Sequence, residues 1–175
     1  VTEKVTEKFR LSGSVSRSNY FDGYSCNETF NSQVDHNLFD DNWAAGITSS
    51  WQCEQNVFSN NQIIDNGFGE FGEDEAPGIW LEWANNNLFS VNVIQGSAGN
   101  GIWLLNNTAG ARTDFNYFDG NVIADNAHYG IYMDEHDDSI AGNVGHGTVY
   151  QGNGQGTLNT NEDLSQYRDI DPIEL

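Results

Sequence analysis

The sequence has little proline, little positive charge and no long apolar run. It contains two prolines and six Lys and Arg residues among 175, and no Lys or Arg occurs between residues 18 and 111. A nucleic-acid or anionic-membrane partner is not expected, because its negative charge would stay unneutralised over most of the chain. No apolar run approaches the roughly 18 residues that span a membrane, so membrane insertion is not expected either.

Acidic residues are abundant by contrast, and 26 Asp and Glu residues give a formal net charge of −20. One interpretation is solubility in a high-salt medium, where screening removes the self-repulsion. The other is cation binding by some of the carboxylates, since hard cations prefer oxygen ligands. Both remain open at this point. The charge also disfavours long-range attraction of polyanionic substrates.

The chain has two cysteines, Cys26 and Cys53. They can form one disulfide in an extracellular setting or remain as two buried thiols. Two acceptor sequons, 27–29 and 106–108, permit glycosylation.

Two short motifs repeat along the chain. Gly-Ile strands occupy 46–51, 78–83, 101–106 and 130–135. An Asn-x-Phe-x-x-Asn motif interleaves with them, and its apolar anchors lie 19, 31, 29 and 22 residues apart: Phe39, Phe58, Phe89, Phe118 and Ile140. Self-similarity at this period indicates a repeat architecture.

The repeated units are strands, because short alternating apolar runs are punctuated by Asn and Gly and no sustained helical period occurs. Asn and Gly tolerate the left-handed backbone that tight corners between strands require. Units of this size predict an all-β solenoid, a parallel β-helix of about six coils over residues 19–156. Residues 1–18 are expected to form an edge or cap, and residues 157–175 a cap or tail. Stacked coils should align an internal amide ladder of Asn42, Asn61, Asn92, Asn121 and Asn143.

The paired motifs resemble the right-handed parallel β-helix repeats of carbohydrate-binding and sugar-hydrolase domains. NosD-like proteins, pectate-lyase-like enzymes and alginate epimerases share that fold. The resemblance implies a single right-handed β-helix and an extracellular or periplasmic location. It implies little about the reaction, since one scaffold hosts many chemistries.

The longer intervals between repeats predict insertions at 67–77 and 107–114. Loops that project from a rigid stack usually form the walls of a site. The first insertion holds an acidic cluster that is either a solvated tip or a cation site: Glu70, Glu73, Asp74 and Glu75.

Alternation along the Gly-Ile strands predicts two outward columns of side chains. One contains Thr48, Trp80, Trp103 and Tyr132, and the other contains Ser50, Glu82, Leu105 and Asp134. Aromatic faces match the apolar faces of sugar rings, so Trp80, Trp103 and Tyr132 are the expected glycan-binding residues. The alternative is that the indoles are covered by the 67–77 loop or the tail and form a second small core.

Glu82 and Asp134 are the candidate catalytic carboxylates of a glycoside hydrolase, with His136 as a nearby acid or base. In the alternative interpretation they are a chance outward pair, because acidic residues are common throughout. Asp134, Asp137 and Asp138 are instead candidate ligands of a Ca²⁺ ion.

Alginate epimerases carry an Asp-Pro-His type motif on a comparable strand, where this chain has Glu135 in place of the proline. Basic residues that would neutralise a uronate are also missing nearby. These departures disfavour lyase or epimerase chemistry.

Taken together, these patterns predict an extracellular polysaccharide-binding or polysaccharide-processing protein whose partner is a glycan. The alternative is a non-catalytic surface or fibre element with a salt-adapted surface, for which self-association through the end coils is expected.

Overall fold

The computed structural model describes residues 6–68, 77–106, 112–135, 140–159, 167–170 and 173–174. All of its regular elements are strands, and parallel pairing joins them into three long sheets plus one short pair, Thr6–Glu7 with Thr29–Phe30. Within these ranges no helix is long and apolar enough to cross a membrane.

Sheet 1 is built from the Gly-Ile strands and their equivalents: Tyr24–Cys26, Ile47–Ser50, Ile79–Glu82, Ile102–Asn106, Tyr129–Glu135 and Gly156–Leu158. Sheet 2 contains Arg10–Ser12, Gln33–Asp35, Val57–Ser59, Leu88–Ser90, Tyr117–Asp119, Asn143–His146 and Tyr167–Ile170. Sheet 3 contains Val15–Arg17, Leu38–Asp40, Gln62–Ile64, Val93–Gln95, Val122–Ala124, Val149–Gln151 and Ile173–Glu174. The chain visits the sheets in turn, so each coil adds one strand to each sheet. The predicted parallel β-helix is confirmed.

Strands of the three sheets also occur in the two terminal segments that were expected to form an edge, cap or tail. Residues 10–12 and 15–17 supply the first strands of sheets 2 and 3, so the N-terminal segment includes edge strands. At the other end, 167–170 and 173–174 pair with the last strands of the same two sheets. Backbone pairing between parallel strands does not need the Asn and Phe motif, which is why the repeat fades in the sequence before the coil ends.

The register of the Asn-x-Phe repeat differs from the expected one. Phe39 pairs with Ile63 on sheet 3, whereas Phe58 pairs with Val34 and Phe89 on sheet 2. Hydrogen-bonded neighbours on successive coils lie 23, 24, 31, 29 and 27 residues apart. The 19-residue interval between Phe39 and Phe58 is therefore not the length of a coil. The motif occurs on two faces of each coil, and these two residues belong to different faces.

The expected single amide ladder is three ladders, one at each of three corners. The first joins Asn37, Asn61, Asn92 and Asn121. The second joins Asn56, Asn87, Asn116 and Asn143. The third runs through Asn19, Asn42 and Asn66, and further along through Ser97, Asn126 and Asn153. The prediction is confirmed for Asn61, Asn92 and Asn121 and wrong for Asn42 and Asn143, which lie in neighbouring ladders.

Inward side chains of the three sheets fill the interior as stacks. Phe58, Phe89 and Phe118 stack with ring centroids 4.7 and 5.3 Å apart. The inward isoleucines of sheet 1 are fully buried: Ile47, Ile79, Ile102 and Ile131. Cys26 and Cys53 are also buried and are joined in a disulfide, which decides between the two alternatives for these cysteines.

Candidate functional site

The outward face of sheet 1 carries the two columns expected from the strand alternation. Trp80 pairs with Thr48 on one side and Trp103 on the other. Trp103 in turn pairs with Tyr132. In the second column Leu105 lies between Glu82 and Asp134. The register is set by the Gly-Ile start of each strand, so the sequence alignment and the sheet agree at every position.

The rings of the first column are in contact along the sheet. Trp80 and Trp103 stack with centroids 5.2 Å apart and planes 26° apart. Trp103 and Tyr132 are 6.5 Å apart at 60°. Tyr129, three residues before Tyr132, stacks against it at 5.8 Å and 27°. The aromatic surface is thus wider than the predicted column, because the ring of Tyr129 contacts that of Tyr132.

The rings differ in how much of them solvent can reach. Trp80 and Tyr132 are half-buried, whereas Trp103 is 4% exposed. Trp103 therefore packs as an interior residue, in line with the covered alternative for this one ring. The accessible aromatic surface of the face belongs to Trp80, Tyr129 and Tyr132.

The indole nitrogens of Trp80 and Trp103 are buried without a hydrogen-bond partner among the residues that the structure describes. A buried donor without an acceptor costs roughly 1–3 kcal/mol, so two in adjacent positions of one column are unusual. Both nitrogens lie beneath the accessible surface of the face.

Glu82 and Asp134 are both half-buried and both face outward. Two strand spacings separate their backbones by about 10 Å. Flexible carboxylate side chains can bring their oxygens nearer than that, toward the roughly 6.5–9.5 Å that separates the acid and base of inverting glycosidases.

Other predicted site residues lie outside the described ranges. These are His136, Asp137 and Asp138, together with the acidic cluster of Glu70, Glu73, Asp74 and Glu75. In the part of the chain that the structure describes, no three His, Cys, Asp or Glu side chains are placed to hold a metal ion.

One carboxylate near this face was not singled out by sequence reasoning. Asp22 accepts a hydrogen bond from the Ala45 backbone N–H at 3.1 Å. Burial raises the pKa of Asp22, and hydrogen bonds from Thr48, Ala45 and Ser25 offset part of that rise. Asp22 thus lies beside Thr48, at the start of the aromatic column. A single Asp among 26 acidic residues gives no signal in the sequence.

In chain order, the longest coils have their extra residues close before or directly after strands of sheet 1. Residues 69–76 precede the strand Ile79–Glu82, while 107–111 and 136–139 directly follow Ile102–Asn106 and Tyr129–Glu135. These are the coils in which hydrogen-bonded neighbours are 31, 29 and 27 residues apart. Additional chain length is therefore concentrated at the strands that carry the aromatic and carboxylate columns.

The sequence profile of a family described as "Right handed beta helix region" matches residues 5–118. The chain belongs to this family. A comparison with curated protein sequences finds no match.

Solved structures with the same fold include the periplasmic alginate epimerase AlgG, at 18% identity and a TM-score of 0.63. A double mutant of AlgG gives a TM-score of 0.70 at the same 18% identity. Each comparison covers 97% of this chain and 46% of the other. The A-module of the Azotobacter vinelandii mannuronan C-5 epimerase AlgE4 is 15% identical, with a TM-score of 0.66 over 97% of this chain and 54% of the other. This β-helix thus spans about half the length of the structures it resembles, and at these identities the likeness shows the fold.

Proposed function

We propose that the protein binds a polysaccharide along the outward face of sheet 1 and acts outside the cytoplasm. The observation that supports this proposal is that the three longest coils have their extra residues, in chain order, close before or directly after the sheet 1 strands, which present Trp80, Tyr132, Glu82 and Asp134. Loops on a rigid scaffold commonly build the walls of a binding site. Flat rings beside carboxylates suit sugars, whose C–H faces pack on the rings while their hydroxyls donate to the carboxylates. The similar solved structures are enzymes that act on alginate or mannuronan, which favours a glycan ligand.

The proposed ligand is a neutral polysaccharide. The strands of sheet 1 contain no Lys or Arg, and the net charge of the chain is −20. A polyuronate would meet repulsion here without a guanidinium or ammonium partner. A Ca²⁺ ion held by Asp134, Asp137 and Asp138 would offset this repulsion, so binding should be measured with and without Ca²⁺.

Retention on immobilised neutral and acidic polysaccharides tests the proposal. Trp80→Ala and Tyr132→Ala are expected to lose retention, whereas Tyr117→Ala is the control because Tyr117 is 39% exposed on sheet 2. Circular dichroism must show that each variant stays folded. Unchanged retention of both sheet 1 variants would refute the proposal. If no glycan is retained and the chain self-associates through its end coils, a structural role is favoured instead.

Hydrolysis of the bound glycan is a second candidate function, favoured by the common column of Glu82 and Asp134. One carboxyl group would protonate the leaving oxygen and the other would activate a water, with His136 as a further acid or base. Release of reducing ends by the wild type, lost in Glu82→Gln and Asp134→Asn, is the expected result. Hydrolysis that survives in both variants would remove these residues from the mechanism.

A further inference from the structure

A second aromatic surface lies at the corner between sheets 3 and 1, in the first coils. Here Ser18, Asn19, Tyr20, Asp41, Trp43 and Phe68 line a cleft of about 290 Å³, called the corner cleft below. Tyr20 is 66% and Phe68 54% exposed, although both are large apolar rings. Neighbouring exposed rings around a concave surface mark a binding site more often than a scattered single residue does.

The cleft lies beside two stacked rings that are followed by a glycine at the equivalent position of the next coil. The Trp43 backbone N–H donates to the Asn19 carbonyl, and the Gly67 N–H donates to the Asn42 carbonyl. Tyr20, Trp43 and Gly67 therefore occupy equivalent positions on successive coils. The rings of Tyr20 and Trp43 stack 4.4 Å apart with planes 16° apart. Gly67 supplies no third ring, and the cleft opens beside it between the stacked pair and Phe68.

The polar groups of the cleft accept hydrogen bonds. One carboxylate oxygen of Asp41 accepts from the Ser18 hydroxyl at 2.8 Å. The other, Oδ1, has no partner among the described residues, and Asp41 is exposed. The Asn19 amide is already engaged, because it donates to Ser16 and Asn42 at 2.9 and 2.8 Å.

The charge and size of the cleft restrict its ligand. None of its six described lining residues is basic, and the net charge of −20 disfavours an anion. Its volume lies at the low end of the roughly 300–1,000 Å³ of small-molecule pockets, which suits one ring at a time. The best match is a ring with an apolar face and hydroxyl donors at its edge.

We propose that the corner cleft binds a single pyranose ring of a neutral oligosaccharide. The apolar C–H surface of the sugar contacts the exposed parts of Tyr20 and Phe68, and one hydroxyl donates to Oδ1 of Asp41. The proposal shares its ligand class with the proposed function but rests on different residues, away from sheet 1. The corner cleft would act as an additional attachment point for the same polysaccharide.

Calorimetric titration of the full chain with hexasaccharides of β-1,4-linked glucose, xylose or mannose tests this site. Tyr20→Ala and Phe68→Ala are each expected to lower the affinity by about tenfold. Both rings are more than half exposed, so the fold should tolerate these changes. Asp41→Asn should weaken binding less, because an amide oxygen still accepts. Trp51→Ala is the control, since Trp51 is 56% exposed at another corner, where its ring contacts Trp83.

Comparison with Trp80→Ala separates this site from the face of sheet 1. A further loss of affinity when Tyr20→Ala or Phe68→Ala is added to Trp80→Ala, with no such loss when Trp51→Ala is added, confirms the corner cleft. Wild-type affinity in Tyr20→Ala and Phe68→Ala refutes it, whatever happens at sheet 1. Failure of the wild type to bind any of the three hexasaccharides also refutes it. Self-association that is lost in Tyr20→Ala, without sugar binding, assigns the surface to a contact between copies and overturns the proposal.

Discussion

The amide ladders predict a large loss of stability when one interior asparagine is truncated. Asn92 is 1% exposed, and its side chain takes part in four hydrogen bonds. Its oxygen accepts from the backbone N–H and the side-chain amide of Asn61, at 2.9 and 3.0 Å. Its nitrogen donates to the Phe58 carbonyl and to the Asn121 oxygen, at 2.9 and 3.1 Å. Asn92→Ala removes all four and leaves the buried backbone N–H of Asn61 without its acceptor, whereas the Asn121 oxygen still accepts from the Asn92 backbone N–H.

At a net value of about 1 kcal/mol for each bond, Asn92→Ala should lower the free energy of unfolding by roughly 4 kcal/mol. The thermal midpoint should then fall by about 8–16 °C for a chain of this length. Asn92→Asp keeps the acceptor for Asn61 but turns an oxygen toward the Phe58 carbonyl. At neutral pH, Asn92→Asp should be at least as destabilising as Asn92→Ala. In acid it should be less destabilising, because the protonated carboxyl group can donate a hydrogen bond.

Guanidinium unfolding followed by far-UV circular dichroism measures this loss. Gln62→Ala is the control, because Gln62 is an exposed amide on the outward side of sheet 3, and its change should stay within about 0.5 kcal/mol. The slope of the transition must be compared as well, since local opening of a repeat protein lowers it. A loss below about 1 kcal/mol for Asn92→Ala with an unchanged slope would refute the assignment of coil stability to the ladder.

Three further predictions concern a corner, an ion pair and the disulfide. Val91 has a φ of 55° and is 57% exposed, so Val91→Asn should stabilise by about 1 kcal/mol, and an unchanged thermal midpoint would count against it. Hydrogen bonds from Arg10 and His36 hold the pKa of Asp35 well below its usual range. The resulting stability is complete above the unfolded pKa of about 3.9 and is lost as pH falls below it, so Arg10→Gln should move acid unfolding to higher pH. Superimposable acid transitions would contradict this. Reduction of the Cys26–Cys53 disulfide, which closes a separation of 27 residues, should cost about 3.5 kcal/mol. A denaturation midpoint that does not change on reduction would refute this stabilising role of the disulfide.

The part of the site on sheet 1 could be predicted because each Gly-Ile strand aligns with the next without ambiguity. Ile79 and Ile102 are fully buried and paired, so Trp80 and Trp103 must face outward together. How far an outward ring is covered depends on chain segments distant in sequence. Trp103 at 4% exposure and Trp80 at partial exposure have the same local pattern.

The corner cleft could not be predicted from the sequence. Tyr20, Trp43 and Phe68 belong to three successive coils and share no sequence motif. They meet only once the register of 23 and 24 residues between the first coils is known. The same register separates Phe39 from Phe58 onto two sheets, although both carry the same motif.

The sequence by itself determined the fold of this protein, because a repeat of short strands with Asn at the corners can bury its apolar side chains only by stacking coil on coil. It also determined which side chains of the Gly-Ile strands face outward, since alternation along a strand is a local property. Only the tertiary structure decided which Asn joins which ladder and whether Cys26 meets Cys53. It alone decided which aromatic rings stay accessible. These outcomes depend on the length of each coil, and coil length sets the register between residues far apart in the chain.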